Sequence, residues 1–247
     1  MKGVNSDEAY EYIRQRILSG EYPPGSTLTT SQLAEDIGVS RTPVRDALRQ
    51  LETDGLVVIR AHFGASVRSV TFKEFREMCE MRLALESYAA GFAATNRTDE
   101  ELREMGAAME EMRRITELNE KMGGGDSMIS DLVREDIRFH IAILTAARND
   151  VIRKEIMQLH LVNRIVSARG TAMLRPVGDE STANHREVLE EHQAILRAIG
   201  ARDAEGAKQA MHRHIHKLIE KQISLRERSE AKPKTKPLTE EELIYST

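Results

Sequence analysis

Val39-Ser40-Arg41-Thr42-Pro43-Val44-Arg45-Asp46-Ala47-Leu48-Arg49-Gln50-Leu51 is the stretch that decides the fold of the N-terminal part of this sequence. Ser40 is a residue type that favours the position before a helix, and Pro43 fits the first turn, where its missing N–H costs no hydrogen bond. A helix is therefore predicted to begin near Arg41. Its apolar residues recur with the period of one buried helix face; they are Val44, Ala47, Leu48 and Leu51.

The side chains outside this apolar stripe carry hydrogen-bond donors: Arg41, Thr42, Arg45 and Arg49. Arg presents a forked donor that matches guanine edges and phosphates, and the Thr hydroxyl is a shorter donor for the DNA backbone. The pattern predicts a helix that lies in a DNA groove. Taken alone, the stretch is equally compatible with a solvated helix face that carries scattered charges.

The neighbouring segments favour the DNA-binding interpretation. Residues 30–38 predict a short helix that ends at Gly38, so helix, turn and Arg-bearing helix together form a helix-turn-helix. A further helix is predicted over residues 6–19. Downstream, Gly55 ends the Arg-bearing helix, and two strand-like runs at 56–60 and 65–68 flank His62-Phe63-Gly64. The N-terminal domain is therefore predicted to be a winged helix with a two-stranded wing.

Residues 9–70 resemble the winged-helix domain of the GntR-type bacterial transcription regulators. The residues that carry the resemblance are Pro23-Pro24-Gly25-Ser26-Thr27-Leu28, Leu33-Ala34, Gly38 to Arg45, Leu48, Leu51, Asp54-Gly55-Leu56 and Gly64. The resemblance implies that Arg41, Thr42, Arg45 and Arg49 face DNA. It also implies that the wing tip, from His62 to Gly64, enters a minor groove.

Composition places the chain among mainly α proteins. It has 247 residues, of which 40% are hydrophobic, 31% charged and only 4% aromatic, with no Trp. That length accommodates two domains with a substantial core. The single cysteine, Cys79, excludes an intrachain disulfide and fits a reducing compartment. No apolar run reaches the ~20 residues of a membrane span and no leader opens the chain, so we expect a cytoplasmic protein without a membrane partner.

Bulk charge does not support DNA binding. The net charge is −4, and residues 1–71 contain eight Lys or Arg against nine Asp or Glu. Five of those eight cations belong to the Arg-bearing helix and the wing, whereas several acidic residues precede the motif. The predicted DNA footprint is therefore narrow and depends on local placement.

From residue 72 onward the hydrophobic period is helical. Six helices are predicted, at residues 72–95, 98–122, 127–147, 151–169, 181–199 and 201–227, with short connections typical of an antiparallel bundle. The tail 229–247 has no core-forming pattern and is predicted to be disordered. The domains expected are thus 1–71, a winged helix, and 72–228, an all-α bundle.

Polar side chains interrupt the apolar stripes of three bundle helices. The stripe of the third helix runs through Val133, Ile137, Ile141 and Leu144. Asp136 and His140 fall within that stripe, one turn apart. His192 occupies a stripe position of the fifth helix, and His214 lies about 60° from the centre of the buried face of the last. His212 and His216 fall roughly 100–140° from that centre, toward the rim.

Each of these residues alone is more often a hydrogen-bonded core residue than a ligand. Three helices that each supply a misplaced polar group nevertheless favour a shared site. A buried carboxylate needs a cation or strong donors, and one Asp with three imidazoles is a coherent ligand set for a divalent transition metal. Zn, Ni, Mn and Fe all suit nitrogen and oxygen ligands without a thiolate, and the sequence does not order them.

Arg82 and Glu86 form a second polar feature, an i, i+4 pair on the first bundle helix. The pair fits a salt bridge, at the surface or between helices, worth a few tenths of a kcal/mol. It fits equally a clamp in which Arg82 binds the carboxylate of a ligand. The residues alone leave both interpretations open.

Residues 72–228 resemble the FCD ligand-binding domain of the FadR-like subfamily of GntR regulators. The residues that carry the resemblance are Arg82-Leu83-Ala84-Leu85-Glu86, Asp136-Ile137-Arg138-Phe139-His140, Glu191 to Leu196, and Ala207 through Met211 to His214. The resemblance implies that Asp136, His140, His192 and His214 hold a metal. It further implies that a small organic acid binds to open positions of that metal, and that the protein is a homodimer on a palindromic operator.

The sequence thus predicts a ligand-responsive transcription regulator, a repressor in most such proteins, with Arg82 as the candidate effector-binding residue. Two alternatives remain: a metal sensor without an organic effector, and a metalloenzyme whose bundle site activates water. No general base at a persuasive spacing accompanies the ligands, which argues against the enzyme. The short connection through Thr71 contains no Gly or Pro, so movement of the first bundle helix is expected to reach the wing directly.

Overall fold

The computed structural model describes residues 6–61, 64–122, 126–173 and 179–231. His62 and Phe63 of the predicted wing tip lie outside the described residues, as do 232–247 of the predicted tail. In chain order the elements are α1 (Ser6–Ser19), β1 (Thr27–Leu28), α2 (Thr30–Ile37), α3 (Arg41–Thr53), β2 (Val57–Arg60), β3 (Gly64–Val67), α4 (Phe72–Asn96), α5 (Asp99–Met122), α6 (Asp126–Ala146), α7 (Asp150–Met173), α8 (Asp179–Gly200) and α9 (Ala204–Ala231).

The N-terminal elements form the predicted winged helix. Helices α1, α2 and α3 enclose a core with a small antiparallel sheet of strand order β1-β3-β2. The apolar stripe predicted for α3 is buried in that core, which confirms the helical phase of the Arg-bearing segment. Strand β1 adds a third strand to the two predicted for the wing, because Leu28 pairs with Ala65.

The predicted ends of α2 and α3 are close to the observed ones. Gly38 has a φ of 78°, and its N–H donates to the carbonyls of Ala34 and Glu35, so a left-handed residue terminates α2. Ser40 precedes α3 with extended backbone angles, but its side chain makes no capping hydrogen bond. The helix therefore begins where predicted without the hydroxyl contact that the residue type suggested.

The C-terminal elements form an all-α domain whose main core is built by five of its six helices. Its buried residues come from α4, α5, α6, α8 and α9, and the largest include Met105, Phe139, Ile143, Ile195, Ile199 and Met211. Helix α7 lies beside this core and packs in a smaller cluster against α4 and the end of α6. Within the described residues, none of the helices combines the length and apolar character needed to cross a membrane.

Several details of the bundle differ from the sequence expectation. Helix α9 extends to Ala231, so residues 229–231 of the predicted disordered tail are helical. Helix α9 begins at Ala204 instead of 201, because Arg202 adopts a positive φ of 57° and the Asp203 carboxylate accepts the N–H of Gly206. Helix α7 continues through Gly170 to Met173. On α6, Val133 is 46% exposed, and the core takes the neighbouring row that contains Phe139 and Ile143. Two apolar rows share this helix, so the period alone could not choose between them.

The two domains meet at a short, ordered junction. Thr71 is the N-cap of α4, where its hydroxyl accepts the N–H of Glu74 and the Glu74 carboxylate accepts the N–H of Thr71. Val70 and Phe72 pack against the core of the helical domain. The capping box fixes the direction in which the chain enters α4.

Candidate functional site

Four polar residues from three helices of the bundle lie together. They are Asp136, His140, His192 and His214, and one potential ligand atom from each lies within 4.8 Å of the others. The three imidazoles are buried, whereas the Asp136 side chain is 36% exposed. The structure thus brings together the residues that the interrupted stripes singled out.

Helix geometry explains which histidines enter this cluster. Asp136 and His140 are four residues apart on α6, so both project from the same face. Three histidines alternate along α9, and successive members differ by about 200° around the helix. Only His214 is buried, and His212 and His216 are exposed.

The contacts between the cluster's atoms are short. The Nε2 atoms of His140 and His192 are 3.4 Å apart, and the Nε2 of His192 lies 3.3 Å from Asp136 Oδ1. Two nitrogens bound tetrahedrally to one ion at about 2.0–2.1 Å would be roughly 3.3 Å apart. The spacing of these donors therefore fits a divalent metal.

Two carboxylates orient the imidazoles from behind. Glu86 Oε2 lies 3.0 Å from Nδ1 of His140, and Glu191 Oε2 lies 2.9 Å from Nδ1 of His214. When Nδ1–H donates to such a carboxylate, the neutral imidazole keeps its lone pair on Nε2, the arrangement that histidine ligands of metals commonly show. The Nε2 of His214 is buried and has no hydrogen-bond partner among the described residues. A bound cation would satisfy that atom.

The surroundings also set the charge states of the cluster. Burial lowers the pKa of His192 well below its usual range, and the neighbouring His214 and His140 lower it further. A neutral imidazole is the form that binds metal. Burial lowers the pKa of His140 as well, but Glu86 outweighs burial and leaves the pKa raised. The same carboxylate would make the His140 imidazole a stronger donor to a metal.

Arg82 forms the i, i+4 salt bridge with Glu86, and the pair lies inside the domain. Its side chain is buried, and its Nε donates to Glu86 Oε1 at 2.9 Å. Burial raises the pKa of Glu86, but the Arg82 charge and the contacts with His140 and His160 together hold the pKa well below its usual range. The surface salt bridge considered from the sequence is therefore wrong, because the pair lies inside the domain. Arg82 secures the carboxylate behind His140.

Sequence reasoning gave no role to three residues that contact this site. His160 of α7 has its Nε2 3.3 Å from Glu86 Oε1. Glu191 precedes His192 on α8 but contacts His214, and Lys217 of α9 lies 2.8 Å from the other Glu191 oxygen. The sequence shows that Glu191 and His192 are neighbours on one helix. It does not indicate that the first contacts α9 and the second contacts α6.

The helix predicted to contact DNA presents its polar residues to solvent. Arg41, Thr42, Arg45 and Arg49 are all exposed on α3, opposite its buried stripe. Gly64 at the wing is exposed with a φ of 83°, a conformation that favours glycine, whereas His62 lies outside the described residues. The four side chains of α3 are therefore free to approach a groove.

Comparisons with known families match both halves of the chain. The FCD domain family matches residues 77–217, and the family described as bacterial regulatory proteins, gntR family, matches residues 5–67. Together the matched segments include the candidate metal centre and the Arg-bearing helix.

Several regulators are similar along most of their length. YdhC of Bacillus subtilis (strain 168), an uncharacterised HTH-type transcriptional regulator, is 28% identical over 84% of this chain and 86% of its own. A probable D-xylose utilization operon transcriptional repressor of Paenarthrobacter nicotinovorans is 28% identical over 85% of each chain. The galactonate operon transcriptional repressor of Escherichia coli (strain K12) is 26% identical over 80% of this chain and 88% of its own.

Solved structures show the same fold. McbR/YncC of E. coli aligns with a TM-score of 0.67 over 91% of this chain and 98% of that chain, at 24% identity. A GntR transcriptional regulator structure from Rhodococcus sp. RHA1 aligns with a TM-score of 0.63 over 89% and 97%, at 21% identity. The arrangement of a winged helix followed by a helical domain is thus common to these proteins.

We expect Arg82→Met to destabilise the helical domain by about 3–5 kcal/mol, because it leaves the Glu86 carboxylate buried without its cation. The free energy of unfolding is measured by urea denaturation with a chelator present, so that lost metal binding does not contribute. Lys73→Met is the matched control, since Lys73 and Glu77 form an exposed i, i+4 pair on the same helix. The control should change stability by about 0.5 kcal/mol or less. Equal effects of the two substitutions would contradict a structural role for the buried pair.

Proposed function

The chain belongs to the GntR family of bacterial transcription regulators and carries an FCD domain, and on that basis we propose that it is a repressor controlled by a metal-bound carboxylate. The protein is a transcription regulator and not an enzyme. The observation that carries the proposal is the convergence of Asp136, His140, His192 and His214 inside a domain joined to a helix with an exposed row of Arg and Thr side chains.

We assign the four converging residues as ligands of one divalent metal. Asp136 contributes a carboxylate oxygen, and the imidazoles contribute the nitrogens that Glu86 and Glu191 orient. Zn, Ni, Mn and Fe all suit this donor set. When bound, the ion would supply positive charge and open coordination positions for an anionic ligand. The orphaned Nε2 of His214 supports this assignment over a purely structural histidine cluster.

The effector proposed is a small organic acid. A carboxylate oxygen is a suitable ligand for the open positions of a site with three imidazoles and one carboxylate. One similar protein is named as the repressor of a galactonate operon, and galactonate is a sugar acid, which supports an organic acid as the effector here. We propose that Arg82 affects the effector only indirectly, by holding the Glu86 carboxylate behind His140, because its Nε already donates a hydrogen bond to Glu86. A metal sensor without organic effector is the alternative.

The partner proposed is a palindromic double-stranded DNA operator, bound by a homodimer in the cytoplasm. On α3, Arg41, Thr42, Arg45 and Arg49 are the contacting residues, with the wing residues His62 and Gly64 at the minor groove. The two α3 helices of a dimer, its recognition helices, would fit two half-sites of the operator. The symmetry of the operator then follows from that of the protein. An effector that changes the separation of the two helices would change the affinity for the operator.

Substitution of the Arg row should weaken DNA binding in two distinguishable ways. Arg41→Ala and Arg45→Ala should each cost about 1–3 kcal/mol where the lost contact is bidentate to guanine. Arg49→Ala, if it contacts phosphate, should lower the slope of log affinity against log salt by about one unit without changing sequence preference. The measurement is fluorescence anisotropy with an operator selected from a randomised library. Arg103→Ala, on the exposed surface of α5, is the control, and folded Arg41 and Arg45 variants that match it would refute the groove assignment.

The buried histidines should control metal content. Protein purified without chelator is expected to contain close to one divalent metal per chain by elemental analysis. His140→Ala, His192→Ala and His214→Ala should each lower that content and the melting temperature, because a ligand at a hundredfold excess over its Kd stabilises the fold by about 2.7 kcal/mol. His212→Ala is the matched control on the exposed side of α9. Equal metal loss from the His212 and His214 variants would mean that the ion binds elsewhere.

Titration calorimetry tests the effector. Zinc-loaded protein is titrated with carboxylates of roughly three to six carbons, and each active compound is repeated with its neutral amide. Binding that requires both the zinc and the carboxylate, without conversion of the compound, is the expected outcome. Equal affinity of the compound for metal-free protein would show that the metal does not bind its carboxylate. Conversion of the compound to a product would overturn the regulator assignment in favour of an enzyme.

A further inference from the structure

Helix α7 occupies the space between the two domains. It contacts α1 of the winged helix on one side and α4 and α6 of the helical domain on the other. None of its described side chains belongs to the main core of the bundle, where the other five helices pack. Its position makes it a second physical connection between the domains, in addition to the covalent junction at Thr71.

One face of α7 is bound to the DNA-binding domain. The side-chain amide of Gln158 donates to the carbonyl of Thr53, the last residue of α3, at 3.0 Å. Leu161 packs against the winged-helix core, and Val162 lies beside Gly55, just beyond the end of α3, where an added Cβ would be 3.8 Å from Val162 Cγ2. Residues at i, i+3 and i+4 share a helix face, so these three contacts form one surface. The last carbonyls of a helix lack intrahelical partners, and Gln158 satisfies one of them.

The opposite face of α7 is bound to the candidate metal centre. His160 is two residues from Gln158, hence about 200° around the helix. Its Nε2 lies 3.3 Å from Glu86 Oε1, and the other oxygen of Glu86 lies 3.0 Å from Nδ1 of His140. Ile156 and Leu159 fix this face against α4 and α6. A chain of direct contacts therefore runs from His140 through Glu86 and α7 to the end of the recognition helix.

We propose that α7 transmits the occupancy of the metal centre to the C-terminal end of α3, through His160 on one face and Gln158 with Leu161 on the other. This inference rests on the proposed metal site but not on the identity of the effector. A metal ion that held His140 in place would also hold Glu86 in place. The Glu86 carboxylate in turn sets the position of His160. A packed helix moves as a rigid unit, so its far face carries the displacement to Thr53 and Gly55.

The test uses zinc as the probe and amide hydrogen exchange of the full chain as the readout. The reporter amides are those of Asp54, Gly55 and Leu56, which donate to the last carbonyls of α3. Zinc should slow exchange in α6, α8 and α9, and should also slow the reporter amides by about fivefold, the lower end of ordinary coupling between sites.

Variants on the face of α7 that packs against the winged helix separate the route from the site. Gln158→Ala and Leu161→Ala should each keep the zinc-dependent protection of α6, α8 and α9 while the reporter amides lose their response. Lys154→Ala, at an exposed position of α7, is the matched control and should respond like the parent protein. Reporter amides that respond unchanged in both variants would overturn the proposal, as would a parent protein whose bundle is protected while its reporters are not. Absence of zinc protection anywhere would instead refute the metal site itself.

Discussion

Much of this structure depends on the contacts that neutralise the buried carboxylate of Glu86. A buried anion is tolerated only when cations and hydrogen-bond donors surround it, and here Arg82, His140 and His160 fill that role from α4, α6 and α7. The requirement ties three helices to one point. It also fixes the ring orientation of His140, so the geometry of the His/Asp cluster and the packing of α7 follow from the same buried charge.

On two sides of the cluster, a carboxylate lies between an imidazole and a cationic side chain. Glu86 and Glu191 lie behind His140 and His214, and each carboxylate also contacts a cationic side chain, Arg82 or Lys217. These outer contacts orient the inward nitrogens, which would reduce the ordering required if the cluster bound an ion. His192 has no such carboxylate in the described residues, and its low pKa keeps it neutral by burial instead. The cluster therefore combines two imidazoles oriented by carboxylates with one whose orientation depends on packing.

Much of the fold and part of the site could be predicted from the sequence, for identifiable physical reasons. Apolar periodicity and stop residues such as Gly38 located the helices, and misplaced polar residues located Asp136, His140, His192 and His214. Their role as metal ligands stays a prediction. Periodicity failed where two apolar rows share α6, and it cannot tell which distant helix a side chain meets. The pairing of His160 with Glu86 and of Gln158 with Thr53 depends on tertiary packing, for which a single sequence carries no local signal.

The charge balance of the winged helix has a consequence for how the protein samples a chromosome. Its eight cations are offset by nine anions, and Arg41, Arg45 and Arg49 are concentrated on one helix face. Nonspecific affinity for DNA arises mainly from counterion release by many phosphate contacts. A domain with a small cationic footprint makes few such contacts away from a matching groove, so its residence on unrelated sequence is short. A larger share of the molecules therefore remains unbound to unrelated DNA.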